Sequence, residues 1–292
     1  MNTVALRALV AEATQRLRTV SDDPALEARR IVERASGHEP AELRFSLDRS
    51  VTKREIAHFD RMLERRAAGE PLQYVLGSWA FRQLDLYLDR RVLIPRPETE
   101  MVAGVALAEL DRAAGERGAV DQPPRAVDLG TGSGAIALSI AVERPKVEVW
   151  ATDASTDALD IARANLAGIG RHASRVHLAS GSWFEALDAT LAGTFDLVVS
   201  NPPYVGAGEP LPSVVRDWEP AVALVPGPTG LEAYEVIVPE ARRWLRPTGA
   251  LVLEIGAAQA AAVCAIAQAH GYRHRCVHRD LVGRDRAVVI RP

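Results

Sequence analysis

From Arg125 onward the chain alternates short apolar runs with helical stretches. The runs lie at Ala126 to Leu129, Val147 to Thr152, Val176 to Ala179, Phe195 to Ser200, Ala250 to Ile255 and Ala287 to Ile290. Segments this short and this continuously apolar are stable as strands when helices cover both faces of the sheet, which is the arrangement of a mostly parallel α/β domain. His274, Cys276 and His278 alternate in a polar context and predict an edge strand with its polar residues outward; a metal site there lacks a convincing fourth ligand.

The residues ahead of this pattern read differently. Leu6, Leu9, Val10, Ala13 and Leu17 keep helical spacing, Asp23-Pro24 has the form of an N-cap followed by proline at the first helical position, and Gly37 is a stop signal. Thr52 and Glu55 form a capping box for a further helix that carries Ile56, Phe59 and Leu63 on one face and ends near Gly69. Arg61, Arg65 and Arg66 fit a solvated helix face. Tyr74 to Leu93 is aromatic-rich and alternates at Phe81, Leu84, Leu86 and Leu88, which predicts a hairpin. The expected organisation is a helical domain over residues 1–75, a hairpin linker over 76–100 and the α/β domain over 101–292. Gly115 to Pro124, with Gly118, reads as the loop that delivers the chain into the first strand of the sheet.

Composition bounds the function classes. No stretch approaches the roughly 18 consecutive apolar residues of a membrane span, and Arg7, Glu12 and Arg16 interrupt the first residues, so neither a membrane span nor a secretory signal is expected. Two cysteines, Cys264 and Cys276, make no disulfide framework. A cytoplasmic protein is the expectation. The formal net charge of -3 argues against sequence-independent nucleic-acid binding, although a local basic patch would suffice for a specific substrate.

Asp128-Leu129-Gly130-Thr131-Gly132-Ser133-Gly134 follows a predicted strand and opens a predicted helix. Glycines in this position let the backbone turn tightly and approach a ligand beside the helix N-terminal amides. Gly130, Gly132 and Ala135 also satisfy the dinucleotide fingerprint, and Asp153 at the end of the next strand suits a ribose in either case. Three features favour S-adenosylmethionine. Asp128 would repel a pyrophosphate but accept hydrogen bonds from an α-ammonium group. Asp153 can take both ribose hydroxyls, and Trp183 after the third strand offers an apolar surface to adenine. The third feature is the tetrapeptide that ends the fourth strand.

Asn201-Pro202-Pro203-Tyr204 closes the buried run Phe195 to Ser200. Two prolines remove two backbone donors and stiffen the chain, leaving a rigid set of acceptors. The amide oxygen of Asn201 and the carbonyl of Pro202 can each accept one N–H of a planar NH2 group, fixing its plane and aiming its nitrogen. Tyr204 can stack on the flat group and exclude water. This chemistry suits methyl transfer to an amide-like nitrogen. A nicotinamide-dependent dehydrogenase would need an acid-base residue where this chain has two prolines.

With both motifs in place, the chain resembles the HemK/PrmC family over most of its length. The resemblance also runs through Leu93-Ile94-Pro95-Arg96-Pro97-Glu98-Thr99-Glu100, Glu219-Pro220, Gly230-Leu231-Glu232, Leu253-Glu254-Ile255-Gly256 with Gln259, and Asp280 to Arg286. It implies a Rossmann-like S-adenosylmethionine-dependent methyltransferase with a mostly parallel seven-stranded sheet, preceded by a small helical domain and a hairpin linker. The implied reaction is methylation of the glutamine in the Gly-Gly-Gln motif of peptide chain release factors, with no direct nucleic-acid binding. Carried over by position, it puts cofactor contacts at Asp128, Gly130, Thr131, Gly132, Ser133, Gly134, Asp153, Trp183 and Asn201, and the substrate glutamine at Asn201, Pro202, Pro203 and Tyr204. Ser182 stands where the family often has aspartate, which weakens the hydrogen bond expected to the adenine amino group. The tetrapeptide alone is shared with adenine and guanine base methyltransferases, the alternative reading.

Overall fold

A computed structural model describes residues 4–117 and 122–292. Met1 to Thr3 and Gly118, with their sequence expectations, lie outside the described residues. In chain order the elements are α1 (Leu6–Arg16), α2 (Pro24–Ser36), α3 (Pro40–Ser46), α4 (Lys53–Ala67), α5 (Leu72–Leu76), β1 (Ser78–Phe81), β2 (Leu84–Tyr87), α6 (Pro97–Arg117), β3 (Arg125–Leu129), α7 (Ala135–Glu143), β4 (Glu148–Asp153), α8 (Thr156–Gly168), β5 (Val176–Ser180), β6 (Phe195–Ser200), α9 (Ser213–Trp218), α10 (Glu232–Trp244), β7 (Leu245–Glu254), α11 (Ala260–Ala269), β8 (His274–Arg279) and β9 (Asp285–Arg291). The chain divides into two compact units, residues 1–79 with 212–218, and residues 80–211 with 219–292. Among the described residues no helix is long and apolar enough to cross a membrane.

The first unit is helical. Asp23 caps α2 by accepting from Leu26 N at 3.0 Å, and Gly37 ends it in the left-handed conformation at φ 72°. At α4, Thr52 accepts from Glu55 N and Glu55 accepts from Thr52 N, the reciprocal box expected from the sequence. Leu6, Leu9, Ile31, Val32, Phe59 and Leu63 form its core. Arg66 departs from the solvated face expected of it. It is buried, with Nε donating to Glu27 at 2.6 Å and Nη2 to the Val20 carbonyl at 2.7 Å. A guanidinium can be buried here because a carboxylate and a carbonyl take up its donors.

Tyr74 lies in α5 rather than in the predicted hairpin, because Gly77, left-handed at φ 70°, closes a helical turn before the strands begin. The two-stranded sheet is confined to β1 and β2. Arg82 at its tip makes a bidentate pair with Glu143 of α7. Helix α6 begins at Pro97, inside the stretch expected to be linker.

The second unit holds a seven-stranded sheet in the order β5-β4-β3-β6-β7-β9-β8. Strands β3 to β7 run parallel, and β9 is antiparallel to both β7 and β8. All six residues of β6 are buried, as a central strand covered on both faces requires. β7 starts five residues earlier than its apolar run and meets β6 through a register shift between Phe195 and Leu197. β8 is the edge strand expected from the sequence. From β3 the chain steps to β4 on one side while β6 lies on the other. That reversal opens a crevice above the carboxyl ends of the strands, the usual ligand position in such sheets.

Removing the guanidinium tests the packing of the first unit. Arg66→Ala should leave the partly buried Glu27 and the Val20 carbonyl without their donor and cost about 1.5–3 kcal/mol, the scale of hydrogen bonds to a charged group, read as faster hydrogen exchange in α2 and α4 and a lower urea midpoint.

Candidate functional site

Strands β3, β4 and β6 end at one level: Leu129 pairs with Thr152 on one side and with Ser200 on the other. Ser200 Oγ also donates to the Leu129 carbonyl at 2.7 Å. The glycine-rich turn starts from this shared edge. Gly130, Gly132 and Gly134 have φ of 69°, 57° and 85°, a conformation costly for residues with a Cβ. A Cβ on Gly130 would lie 3.3 Å from the Trp183 ring, so the bare backbone there makes room for that indole. Thr131 N donates to the Thr152 carbonyl at 2.9 Å and ties the turn to β4.

Asp128 lies beneath the turn and is 1% exposed. Its Oδ2 accepts from Thr131 Oγ1 at 2.7 Å and from Ala137 N at 3.1 Å, satisfying a first-turn amide of α7. Its Oδ1 is buried without a partner. Burial pushes this carboxyl up to about 7, with the nearby Asp153 charge adding to the rise and the two hydrogen bonds opposing it. Asp153 ends β4, accepting from Gly132 N through Oδ2 and from Ser155 N through Oδ1, each at 2.9 Å. Burial raises its pKa as well. Each oxygen keeps a further lone pair for a ligand hydroxyl.

Trp183 follows β5 and adopts φ 47°, a rare conformation for a large side chain. Thr152 Oγ1 donates to its carbonyl at 3.1 Å, one contact that holds it there. Ser182 is exposed and caps nothing with its side chain.

Asn201 follows β6 directly, and its Nδ2 donates to Thr99 Oγ1 of α6 at 3.4 Å. The tetrapeptide is braced from behind by Gln259, whose Nε2 donates to the Tyr204 carbonyl at 2.9 Å and to the Gly230 carbonyl at 3.1 Å. The Gln259 Oε1 accepts from Gly256 N at 2.9 Å. Burial and the neighbouring Glu254 push the Tyr204 hydroxyl up to about 12, so the phenol stays neutral at any working pH.

These elements enclose a cavity of 480 Å³, within the range of small-molecule sites. It is lined by Asp128, Gly130, Thr131, Gly132, Ser133, Asp153, Trp183, Asn201 and Pro203. Of the residues expected from the sequence, Gly134, Pro202 and Tyr204 do not line it. Gly134 is the left-handed N-cap of α7, Pro202 is buried, and Tyr204 packs against the core. Sequence reasoning on the two motifs missed one wall, to which Arg90, Arg91, Thr99, Pro220 and Val222 contribute. The signal for it was the pair of segments around Arg96 and Glu219. Glu219 is buried and takes Arg96 Nη2 at 2.5 Å and Ile94 N at 3.1 Å, clamping the strap ahead of α6 to the residues that follow α9.

Residues 8–77 match the family model described as the PrmC N-terminal domain, and residues 118–217 match the methyltransferase small domain. The release factor glutamine methyltransferase of Cereibacter sphaeroides is 40% identical, with 92% of each chain covered. The chain belongs to the release factor glutamine methyltransferase family. The bifunctional methyltransferase of Rickettsia prowazekii is 33% identical over 98% of this chain, and the chain spans 57% of that relative's length. Among solved structures, the catalytic domain of hMettl16 in complex with the MAT2A 3'UTR hairpin 6 superposes with a TM-score of 0.55 at 15% identity, covering 79% of this chain and 81% of that one. That likeness establishes the shared fold.

The buried Asp128 gives the family site a pH signature. Because burial raises its pKa, the fold favours the neutral acid. Its contribution to stability is full below the ordinary carboxylate range and is lost as pH climbs through about 7. Asp128→Asn should therefore stabilise the ligand-free protein at pH 8 by on the order of 1 kcal/mol and have little effect at pH 5, measured by thermal unfolding at the two values.

Proposed function

We propose that the chain transfers the methyl group of S-adenosylmethionine to the side-chain amide nitrogen of the glutamine in the Gly-Gly-Gln motif of peptide chain release factors, acting in the cytoplasm. The names of its relatives support the substrate. The observation that carries the chemistry is Asn201 at the cavity wall, its Nδ2 engaged by Thr99 and its Oδ1 left to accept.

The cavity fits the cofactor. The unpartnered Oδ1 of Asp128 is a buried acceptor in the cavity wall, suited to an α-ammonium group that would draw the carboxyl back to its charged form. The bare backbone of Gly130 and Gly132 would let the amino-acid portion approach, Asp153 would hold the ribose hydroxyls, and Trp183 would offer its face to the adenine. When bound, S-adenosylmethionine would supply an electrophilic methyl on its sulfonium, which keeps the bonding pair and becomes a thioether, while the methylated nitrogen, strongly acidic, loses one proton to solvent.

The glutamine amide is a poor nucleophile, because its lone pair is delocalised into its carbonyl. Asn201 Oδ1 and the Pro202 carbonyl each accept one of its N–H groups, orient the nitrogen and stabilise the positive charge that develops on it. Pro203 and Tyr204 keep the segment rigid, Tyr204 by packing against the core. Residues 1–75 recognise the release factor, and residues 101–292 bind the cofactor together with the part of the 76–100 linker that lines the cavity. The net charge of -3 is in keeping with a protein partner and no direct nucleic-acid contact.

Asn201→Ala should slow single-turnover methyl transfer by about 10²- to 10³-fold, the loss seen when one preorganised polar group is removed, with release-factor affinity nearly unchanged. A wild-type rate in the variant would remove Asn201 from catalysis. Asp153→Ala should weaken cofactor binding by about 1.5–3 kcal/mol, the scale of a charge-assisted hydrogen bond; calorimetry with S-adenosylhomocysteine reads it directly.

A further inference from the structure

Glu254 is the last residue of β7 and is fully buried; its carboxylate oxygens lack a partner at full hydrogen-bond geometry, and the side chain within hydrogen-bonding reach of them is Thr99. Buried carboxylates are costly without partners and invite an explanation. Glu254 is not among the residues lining the cavity, so it is not placed to touch a ligand. The neighbour that most favours its charged form is the hydroxyl of Thr99, the same hydroxyl that receives Asn201 Nδ2. Thr99 is 3% exposed, which leaves its hydroxyl few other partners.

Hydrogen-bond polarity then runs one way. An ionised carboxylate only accepts, and a threonine hydroxyl has a single proton to donate. If that proton points to Glu254, Thr99 has only lone pairs to offer Asn201, and only the Nδ2 end of the amide can meet them. The oxygen end is thereby turned to the cavity. A flipped Asn201 would present N–H to the N–H groups of an incoming amide and repel it.

We propose that Glu254 acts through Thr99 as the positioning residue for Asn201, holding the Asn201 amide with its oxygen toward the acceptor nitrogen. The proposal rests on the glutamine-methylating reading of the site. It also gives the site a specificity for acceptors that carry an NH2 group, because a carboxylate acceptor would meet an oxygen. When Glu254 gains a proton it becomes a donor, Thr99 is released from its fixed polarity, and the Asn201 amide is free to turn.

The charged and titratable groups facing Glu254 come from several elements: Arg286 of β9, Arg96 ahead of α6, Glu98 in the first turn of α6, Tyr204 of the tetrapeptide segment and Tyr234 of α10. Burial pushes the Glu254 carboxyl up to about 7, opposed by Thr99, Arg286 and Arg96 and helped by Glu98. The positioned state therefore prevails above this pH and is lost below it.

The test uses the whole chain with a release factor, both substrates saturating, and single-turnover rates. Glu254→Met and Thr99→Val should each slow transfer by about tenfold, the scale of one lost hydrogen bond, with S-adenosylhomocysteine affinity and release-factor KM unchanged. The double variant should be no slower than either single one, and Thr99→Ser should retain the wild-type rate. The wild-type rate should rise with pH through about 7, and that step should vanish in Glu254→Met. Independently of any substrate, the side-chain amide NMR signals of Asn201 should titrate with the same midpoint in the wild type and not in Glu254→Met. Folded variants with wild-type rates, or Asn201 signals indifferent to Glu254, would overturn the proposal. A wild-type enzyme that methylates no glutamine would instead overturn the functional reading, while the Asn201 signals still decide the positioning.

Discussion

The common level at which β3, β4 and β6 end is the constraint from which the rest of the site follows. Leu129 is paired on both sides, to Thr152 and to Ser200, so the residues that follow these three emerge together at one edge. Gly130, Asp153 and Asn201 are those residues. A one-residue slip in either pairing would turn every side chain of the slipped strand to the other face of the sheet and scatter the three. The hydrogen bond from Ser200 to the Leu129 carbonyl and that from Thr131 to the Thr152 carbonyl reinforce this register where the ladder itself stops.

The site is built at a cost to stability. Asp128 and Glu254 are carboxyl groups in the interior, each pushed up to about 7 chiefly by burial, and each leaves at least one oxygen without a partner. Two other buried groups are better matched: Glu219 takes both the Arg96 guanidinium and the Ile94 amide, and Arg66 takes Glu27 and the Val20 carbonyl. Trp183, with its positive φ, is another local cost that falls beside the cavity.

Much of this was legible in the sequence where the signal is local. The caps at Asp23 and Thr52, the apolar runs of the strands and the three glycines after Asp128 each declare themselves within a few residues, and the structure places them as expected. Tyr74 was misread as strand because aromatic content outweighed the stop signal of Gly77. Arg66 was misread as solvated because its partners, Val20 and Glu27, come from an earlier part of the chain. The link from Asn201 to Thr99 spans 102 positions, and no periodicity or spacing foretells it. Glu254 was visible only as part of a family-like segment, without the neighbours that give it a role.

The central claim is that this edge of the sheet directs a methyl group to a glutamine amide. Tandem mass spectrometry of a release factor, after incubation with the enzyme and isotopically methyl-labelled S-adenosylmethionine, tests it most directly. The account predicts one labelled methyl group on the side-chain nitrogen of the Gly-Gly-Gln glutamine and none when that residue is glutamate. Label on another residue, label on nucleic acid alone, or transfer to the glutamate variant would contradict it.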